Sequence, residues 1–153
     1  MTAPQSESPR VQPSPRRWPE WRTQAPVVAV VAAGGALGAT ARYALALALP
    51  TAVGGFPWAT FWTNAIGCAV IGAFLVLITE GLPAHRLVRP FFGTGVLGGF
   101  TTFSTYAVDI QKLVDHGRPA VGLAYLAATP CAALAAVWCT ATLTRRVLTW
   151  RQR

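Results

Sequence analysis

Glycines and hydroxyl side chains are concentrated in one stretch of an otherwise apolar segment. Residues Gly93 to Tyr106 read Gly-Thr-Gly-Val-Leu-Gly-Gly-Phe-Thr-Thr-Phe-Ser-Thr-Tyr. Glycine weakens a helix, and the hydroxyls of Thr101, Thr102 and Ser104 can bond to nearby main-chain groups in place of the helical ladder. Main-chain groups released in lipid must be buried in protein or face an ion or water. The stretch therefore supports two interpretations: an ion site formed by backbone oxygens of a broken helix, or a continuous helix that packs closely.

Polar side chains also occur singly in the other apolar segments. Thr60 and Asn64 are one helical turn apart, and so are Tyr125 and Thr129. Each pair suits either an anion path or interhelical hydrogen bonds that only fix packing. Arg42 lies near the end of the first segment, where we expect a snorkelling anchor; the alternative is a residue that organises the mouth of a pore.

Small residues recur at a spacing of four in two segments. They are Gly34 and Gly38 in the first, and Gly95 and Gly99 in the third. This spacing lets two helix backbones approach closely, so we interpret these four glycines as packing residues.

The composition excludes an ordinary water-soluble domain. Of the 153 residues, 53% are hydrophobic and only 12% are charged, about half the charged fraction of soluble domains. Residues 43–79, 90–108 and 119–144 contain no Asp, Glu, Lys or Arg. Windows of this length can each hold at least one membrane-spanning helix. The cysteines and histidines lack the spacing of a metal site or a nucleophile with its base, so we do not expect an enzyme.

The sequence predicts an all-α membrane protein of four transmembrane helices. Pro50, Gly54, Gly55 and Pro57 divide the longest apolar run into two helices. The predicted helices cover residues of about 25–49, 58–79, 87–113 and 119–143. Their short connections require neighbouring helices to run antiparallel.

Three regions follow from this assignment. Residues 1–24 are rich in Pro, Ser and Arg and are expected to form a disordered tail. Residues 25–145 form the four-helix transmembrane domain, and residues 146–153 form a basic C-terminal tail.

Basic residues near the helix ends predict the orientation. Ten of these basic residues lie on one side of the membrane and two lie on the other side. The ten are Arg10, Arg16, Arg17, Arg22, Arg86, Arg89, Arg145, Arg146, Arg151 and Arg153, and the two are Lys112 and Arg118. Because basic loops tend to remain cytoplasmic, both termini are expected in the cytoplasm of a multi-pass plasma (inner) membrane protein. The arginines are scattered and form no basic helix or patch that could contact nucleic acid, so nucleic-acid binding is not expected.

Three motifs in order resemble those of the small CrcB or Fluc fluoride channels. They are Gly34-Gly-Ala-Leu-Gly-Ala-Thr-Ala-Arg-Tyr43, Thr63-Asn-Ala-Ile-Gly67 and Gly98-Gly-Phe-Thr-Thr-Phe-Ser-Thr-Tyr106. The resemblance covers residues of about 27–143. It implies a channel that exports fluoride passively to relieve fluoride toxicity, built from two antiparallel copies.

The resemblance also implies the sites. A structural sodium ion (Na⁺) at the dimer interface would be held by main-chain oxygens of the broken third helix, here Gly98 and Thr101, and we expect the chain to unwind between these residues. Positions matching the family's ion pathway are Asn64, Phe103, Ser104, Tyr106, Tyr125 and Thr129, to which we add Thr60 from its polar stripe. Aromatic edges and neutral donors suit an anion that is hard to dehydrate, because they do not trap it as a fixed cation would.

Two departures from the family pattern, and the charge bias, leave the assembly open. Tyr106 stands where the family commonly has Phe, adding a hydroxyl that can donate to fluoride or alter the edge contact. Ala133 interrupts the polar track beyond Thr129, so one pore is expected to be weakened. A chain whose basic residues are so unevenly distributed inserts in one orientation, and a single orientation cannot form an antiparallel homodimer. The bias therefore predicts an inverted sibling subunit as the partner.

Two other functions compete with the channel. A four-helix proton-coupled exporter would need a carboxylate in mid-membrane, whereas Glu80 and Asp109 lie near helix ends. A non-conducting structural membrane subunit is the other alternative, and Ala133 keeps it open.

Overall fold

The computed structural model describes residues 20–81 and 84–151, and the whole of this part is helical apart from its connections. Five α-helices follow one another within these residues: α1 (Glu20–Ala48), α2 (Trp58–Val76), α3 (Gly98–Phe100), α4 (Ser104–Asp115) and α5 (Pro119–Arg151). Two π-helical segments join them: Leu77–Gly81 continues α2, and Arg89–Leu97 leads into α3.

Three helices in the described part of the chain are long and apolar enough to cross a membrane. They are Gln24–Ala48, Trp58–Gly81 and Pro119–Trp150. The predicted starts at Trp58 and Pro119 are confirmed. The two prolines and the two glycines of the first connection all lie outside the helices. Gly54 adopts a left-handed φ of 69°, which favours glycine.

The first and last helices extend beyond their predicted ends. Helix α1 begins at Glu20 instead of about residue 25, so the end of the predicted tail is helical, while residues 1–19 lie outside the described part. Helix α5 continues to Arg151, through most of the predicted C-terminal tail. Hydropathy marks only the part of a helix that lies in lipid, and polar residues can continue the same hydrogen-bond ladder into water.

The third predicted helix, covering residues of about 87–113, is broken. Its first half, residues 89–100, is a nine-residue π-helical segment followed by the single turn α3, and its second half is α4. Thr101 ends α3 with φ −74° and ψ 156°, which is extended backbone. We expected unwinding from Gly98 to Thr101, and this is wrong in detail: Gly98 remains helical, with φ −65° and ψ −34°, and residues 101–103 form the break.

Helix α1 packs directly against the first half of the broken window. A Cβ atom on Gly34 would overlap the carbonyl oxygen of Phe91, and one on Gly99 would overlap the carbonyl oxygen of Gly35. Gly95 likewise lies against Gly34, where a Cβ atom would come within 3.0 Å of its Cα. The predicted packing role of these glycines is therefore confirmed.

Helix α2 packs along α5, and α4 packs against the start of α5. Gly72 permits the first contact, since a Cβ atom there would overlap the hydroxyl of Thr140. Gly67 lies against the side chain of Thr101 in the same way. Close approach of α2 to both α5 and the break brings the polar residues of three elements together.

Candidate ion site and pathway

Asn64 holds the break from the neighbouring helix α2. Its Oδ1 accepts a hydrogen bond from the N–H of Thr102 at 2.9 Å, and its Nδ2 donates to the carbonyl of the same residue at 3.0 Å. In a continuous helix the Thr102 N–H would donate to the carbonyl of Gly98. Asn64 takes this donor, so the helical partner of the Gly98 oxygen is missing.

The Thr101 carbonyl is the second oxygen of the predicted cation site. Among the described residues it accepts a hydrogen bond only from Nη1 of Arg42, at 3.5 Å, the outer limit for such a bond. Gly98 and Thr101 therefore each present a main-chain oxygen without a strong donor, which is the hard ligand that a sodium ion prefers. The donor chemistry fits the cation. Arg42, half-buried, lies at the break, where it contacts a carbonyl in addition to any anchoring role.

The hydroxyl of Thr102 organises the restart of the helix. It accepts the N–H of Thr105 at 3.2 Å, as an N-terminal cap does, and it donates to the Thr105 hydroxyl at 3.0 Å. The Ser104 hydroxyl lies 3.3 Å from it. Ser104 is exposed, and this contact joins it to the break.

A groove of about 550 Å³ brings four of the predicted pathway residues together. Asn64, Phe103, Tyr106 and Thr129 all line it. The groove also touches Thr101, so the predicted pathway and the predicted cation site adjoin each other. None of the described residues that line the groove is charged.

Two buried hydroxyls on α5 have no hydrogen-bond partner among the described residues. The Oη of Tyr125 and the Oγ1 of Thr129 form no hydrogen bond within the described residues, although the two side chains are 0% and 5% exposed. An unpaired buried hydroxyl costs about 1–3 kcal/mol. Thr129 lines the uncharged groove, so its hydroxyl is a donor that a bound anion can use, whereas Tyr125 is not among the residues that line it.

The two aromatic residues after the break have opposite environments. Phe103 is 79% exposed, whereas Tyr106 is buried and lies 5.7 Å from Phe103 and 5.2 Å from Tyr125 between ring centroids. The Tyr106 hydroxyl donates to the carbonyl of Leu126 at 2.6 Å. The added hydroxyl of this tyrosine therefore bonds to α5, and the ring edge is the part that remains for an anion.

Thr60 belongs to a different cavity. Its hydroxyl donates to Oδ2 of Asp109 at 2.7 Å, and both residues line a cavity of about 390 Å³ with Lys112 and His116. The pairing of Asp109 with Thr60 was not predicted from the sequence. The available signal was its position: it is the first charged residue after the charge-free window of residues 90–108.

Comparison with protein families gives one match that covers most of the chain. The family model described as CrcB-like protein, Camphor Resistance (CrcB), matches residues 29–141. This range includes every predicted site residue, from Arg42 in α1 to Thr129 in α5.

Several curated proteins are similar to this chain over most of their lengths. The Fluoride-specific ion channel FluC 1 of Streptomyces coelicolor is 73% identical over 132 residues, 86% of each chain. FluC 2 of Streptomyces avermitilis is 68% identical over 134 residues, 84% of this chain and 85% of the relative. FluC 2 of Nocardia farcinica is 50% identical over 111 residues, 72% of this chain and 79% of the relative.

Proposed function

Because the chain belongs to the CrcB family, we propose that it is a fluoride channel that lets fluoride leave the cell passively across the membrane. The relatives whose names state this activity match the chain at up to 73% identity and across the break. The proposal extends their activity to the groove described above.

The observation that best supports a conducting role is the lining of that groove. It contains the amide of Asn64, the edges of Phe103 and Tyr106, and the unpaired hydroxyl of Thr129. One N–H of the Asn64 amide bonds to Thr102, and the second remains available as a donor. Neutral donors and electropositive ring edges can replace part of the water around a small anion without holding it tightly.

A structural sodium ion at Gly98 and Thr101 completes the proposal. Two main-chain oxygens are too few for such an ion, and an antiparallel second subunit that contributes the same pair would supply four. When bound, the ion supplies positive charge close to the groove, which offsets part of the energy of an anion in lipid. The chain's own role is to free the two oxygens. Asn64 takes the Thr102 N–H away from the Gly98 oxygen, and the Thr102 hydroxyl takes the Thr105 N–H away from the Thr101 oxygen.

The proposed assembly has four membrane spans in each subunit. Residues 89–115 form the third span in chain order, with its two halves joined through the break, in addition to the three long apolar helices. The distribution of basic residues supports cytoplasmic termini in the plasma membrane. The same bias supports an inverted sibling subunit as the second half of the dimer.

Fluoride efflux from liposomes tests the function and the assembly together. The chain is reconstituted alone and with a co-expressed sibling subunit, and external fluoride is followed with a selective electrode. Efflux that requires both chains supports the heterodimer, and efflux from the chain alone supports a homodimer. The absence of efflux in both preparations would contradict the channel and favour one of the two competing functions, the exporter or the non-conducting subunit.

Labelling of the termini tests the orientation. An impermeant thiol reagent is applied to intact cells that express a cysteine-free chain with one cysteine added at either end. Both ends are expected to be protected. Equal labelling and protection of each end would show a chain inserted both ways, and would contradict the need for a sibling.

A further inference from the structure

Pro130 leaves one carbonyl of α5 without its helical donor. A proline has no N–H, and in an α-helix the N–H of residue 130 would donate to the carbonyl of Leu126. Helix α5 continues through Pro130 without interruption. Inside a membrane, where water cannot replace the missing donor, such a carbonyl needs a partner from a neighbouring element.

The partner is the Tyr106 hydroxyl of α4. Its 2.6 Å bond to the Leu126 carbonyl is short, and Tyr106 is only 8% exposed. No other side-chain bond within the described residues joins α4 to α5. A phenylalanine at position 106 would fill the same space and leave the carbonyl unpaired.

We infer that Tyr106 is a positioning residue that compensates Pro130, and that its hydroxyl acts on α5 and not on the permeating anion. Tyr106 and Pro130 both line the groove, and Thr129 lies between Leu126 and Pro130 along the same stretch of helix. The bond therefore fixes the distance between the Tyr106 ring edge and the unpaired hydroxyls of α5. The importance of this distance for permeation rests on the proposed fluoride pathway. The compensation of Pro130 by Tyr106 does not depend on that pathway.

A double-mutant cycle tests the coupling. The four chains are the wild type, Tyr106→Phe, Pro130→Ala and the double variant, each purified with its partner subunit. With proline retained at position 130, Tyr106→Phe is expected to raise the unfolding equilibrium constant about tenfold, because a buried carbonyl loses its donor. In the Pro130→Ala background the restored N–H pairs with Leu126, and the same substitution is expected to have almost no effect.

Fluoride efflux from liposomes provides the second readout. Tyr106→Phe is expected to slow efflux with proline at position 130 and to leave it nearly unchanged with alanine there. Equal slowing in both backgrounds would mean that the hydroxyl acts directly on fluoride, and would overturn the inference. Equal destabilisation in both backgrounds would overturn it as well.

Tyr125→Phe is the matched control, because it also removes one buried tyrosine hydroxyl. Unlike that of Tyr106, this hydroxyl has no hydrogen-bond partner among the described residues. Its effect on stability is expected to be independent of residue 130; dependence equal to that of Tyr106→Phe would contradict a specific pairing. If the wild type transports no fluoride, the proposed function fails, and the stability cycle still decides whether Tyr106 compensates Pro130.

Discussion

The side-chain amide of Asn64 pairs with both main-chain groups of Thr102, accepting its N–H and donating to its carbonyl. One side chain thus replaces two helical hydrogen bonds at the point where the third span is interrupted. The helix can stay broken in an apolar environment because these two groups already have partners.

Asn64→Ala is expected to destabilise the protein by about 2–4 kcal/mol, because both groups of Thr102 lose their partner. The loss is measured by thermal unfolding in detergent. Thr79→Ala on the same span is the control, since the Thr79 hydroxyl bonds only to its own helix. An equal effect of the two substitutions would mean that Asn64 does not hold the break.

Gly38→Ala is expected to cost about 3 kcal/mol, because its Cβ atom would overlap the carbonyl oxygen of Val96 in the facing backbone. Gly35→Ala on the same helix is the matched control, as the nearest atom to its Cβ is 4.0 Å away. Thermal unfolding of both variants decides the point. Similar midpoints would show that α1 can move away from the break without loss.

Thr129→Val is expected to raise stability by about 1 kcal/mol while it lowers the rate of fluoride efflux. The substitution keeps the shape of the side chain and removes an unpaired buried hydroxyl, which favours the folded state. Thr140→Val serves for comparison, because that hydroxyl already bonds to the carbonyl of Ala136. Unchanged efflux in Thr129→Val would exclude its hydroxyl from the pathway.

Arg42→Gln is expected to lower the sodium concentration that half-saturates the protein by about tenfold. The guanidinium lies 3.5 Å from the Thr101 oxygen, and its charge opposes a second cation at that oxygen. Sodium is titrated against the thermal unfolding midpoint, with Arg42→Lys to retain the charge and Arg86→Gln as a distant control. Weaker sodium binding in Arg42→Gln would show that the guanidinium assists the cation.

Gly98→Ala tests whether a second subunit covers the break. No atom of the described chain lies within 4 Å of a Cβ atom at Gly98, and its helical φ suits alanine, so one subunit alone accommodates the change. The helix content by circular dichroism should be retained. If the proposed dimer forms through this surface, chromatography with light scattering should show its loss. A stable dimer of this variant would place the interface elsewhere.

Hydropathy and turn residues predicted the spans and two helix starts, because these depend on local composition. Trp58 and Pro119 follow connections rich in proline or glycine. The predicted ends were less accurate: α5 continues to Arg151 because nothing at the edge of lipid requires a helix to stop. The Gly and Thr content left a break and a continuous helix both open, and the family resemblance favoured the break, but its position at residues 101–103 was not predicted.

The hydrogen bonds that define the site depend on which helices become neighbours, so they could not be predicted from the sequence. It gave Asn64 a polar role without identifying Thr102 as its partner. It left the Tyr106 hydroxyl open between fluoride and an edge contact, whereas the structure pairs it with Leu126. The clue was the missing N–H of Pro130, which becomes informative only when α4 is known to pack on α5.

The interruption at residues 101–103 also divides one helix dipole into two. The carbonyl end of α3, at Phe100, and the amide end of α4, at Ser104, are separated by these three residues. The first carries partial negative charge and the second partial positive charge. A single gap in one span thus offers opposite polarities to ions of opposite sign, without any formally charged side chain in the gap itself.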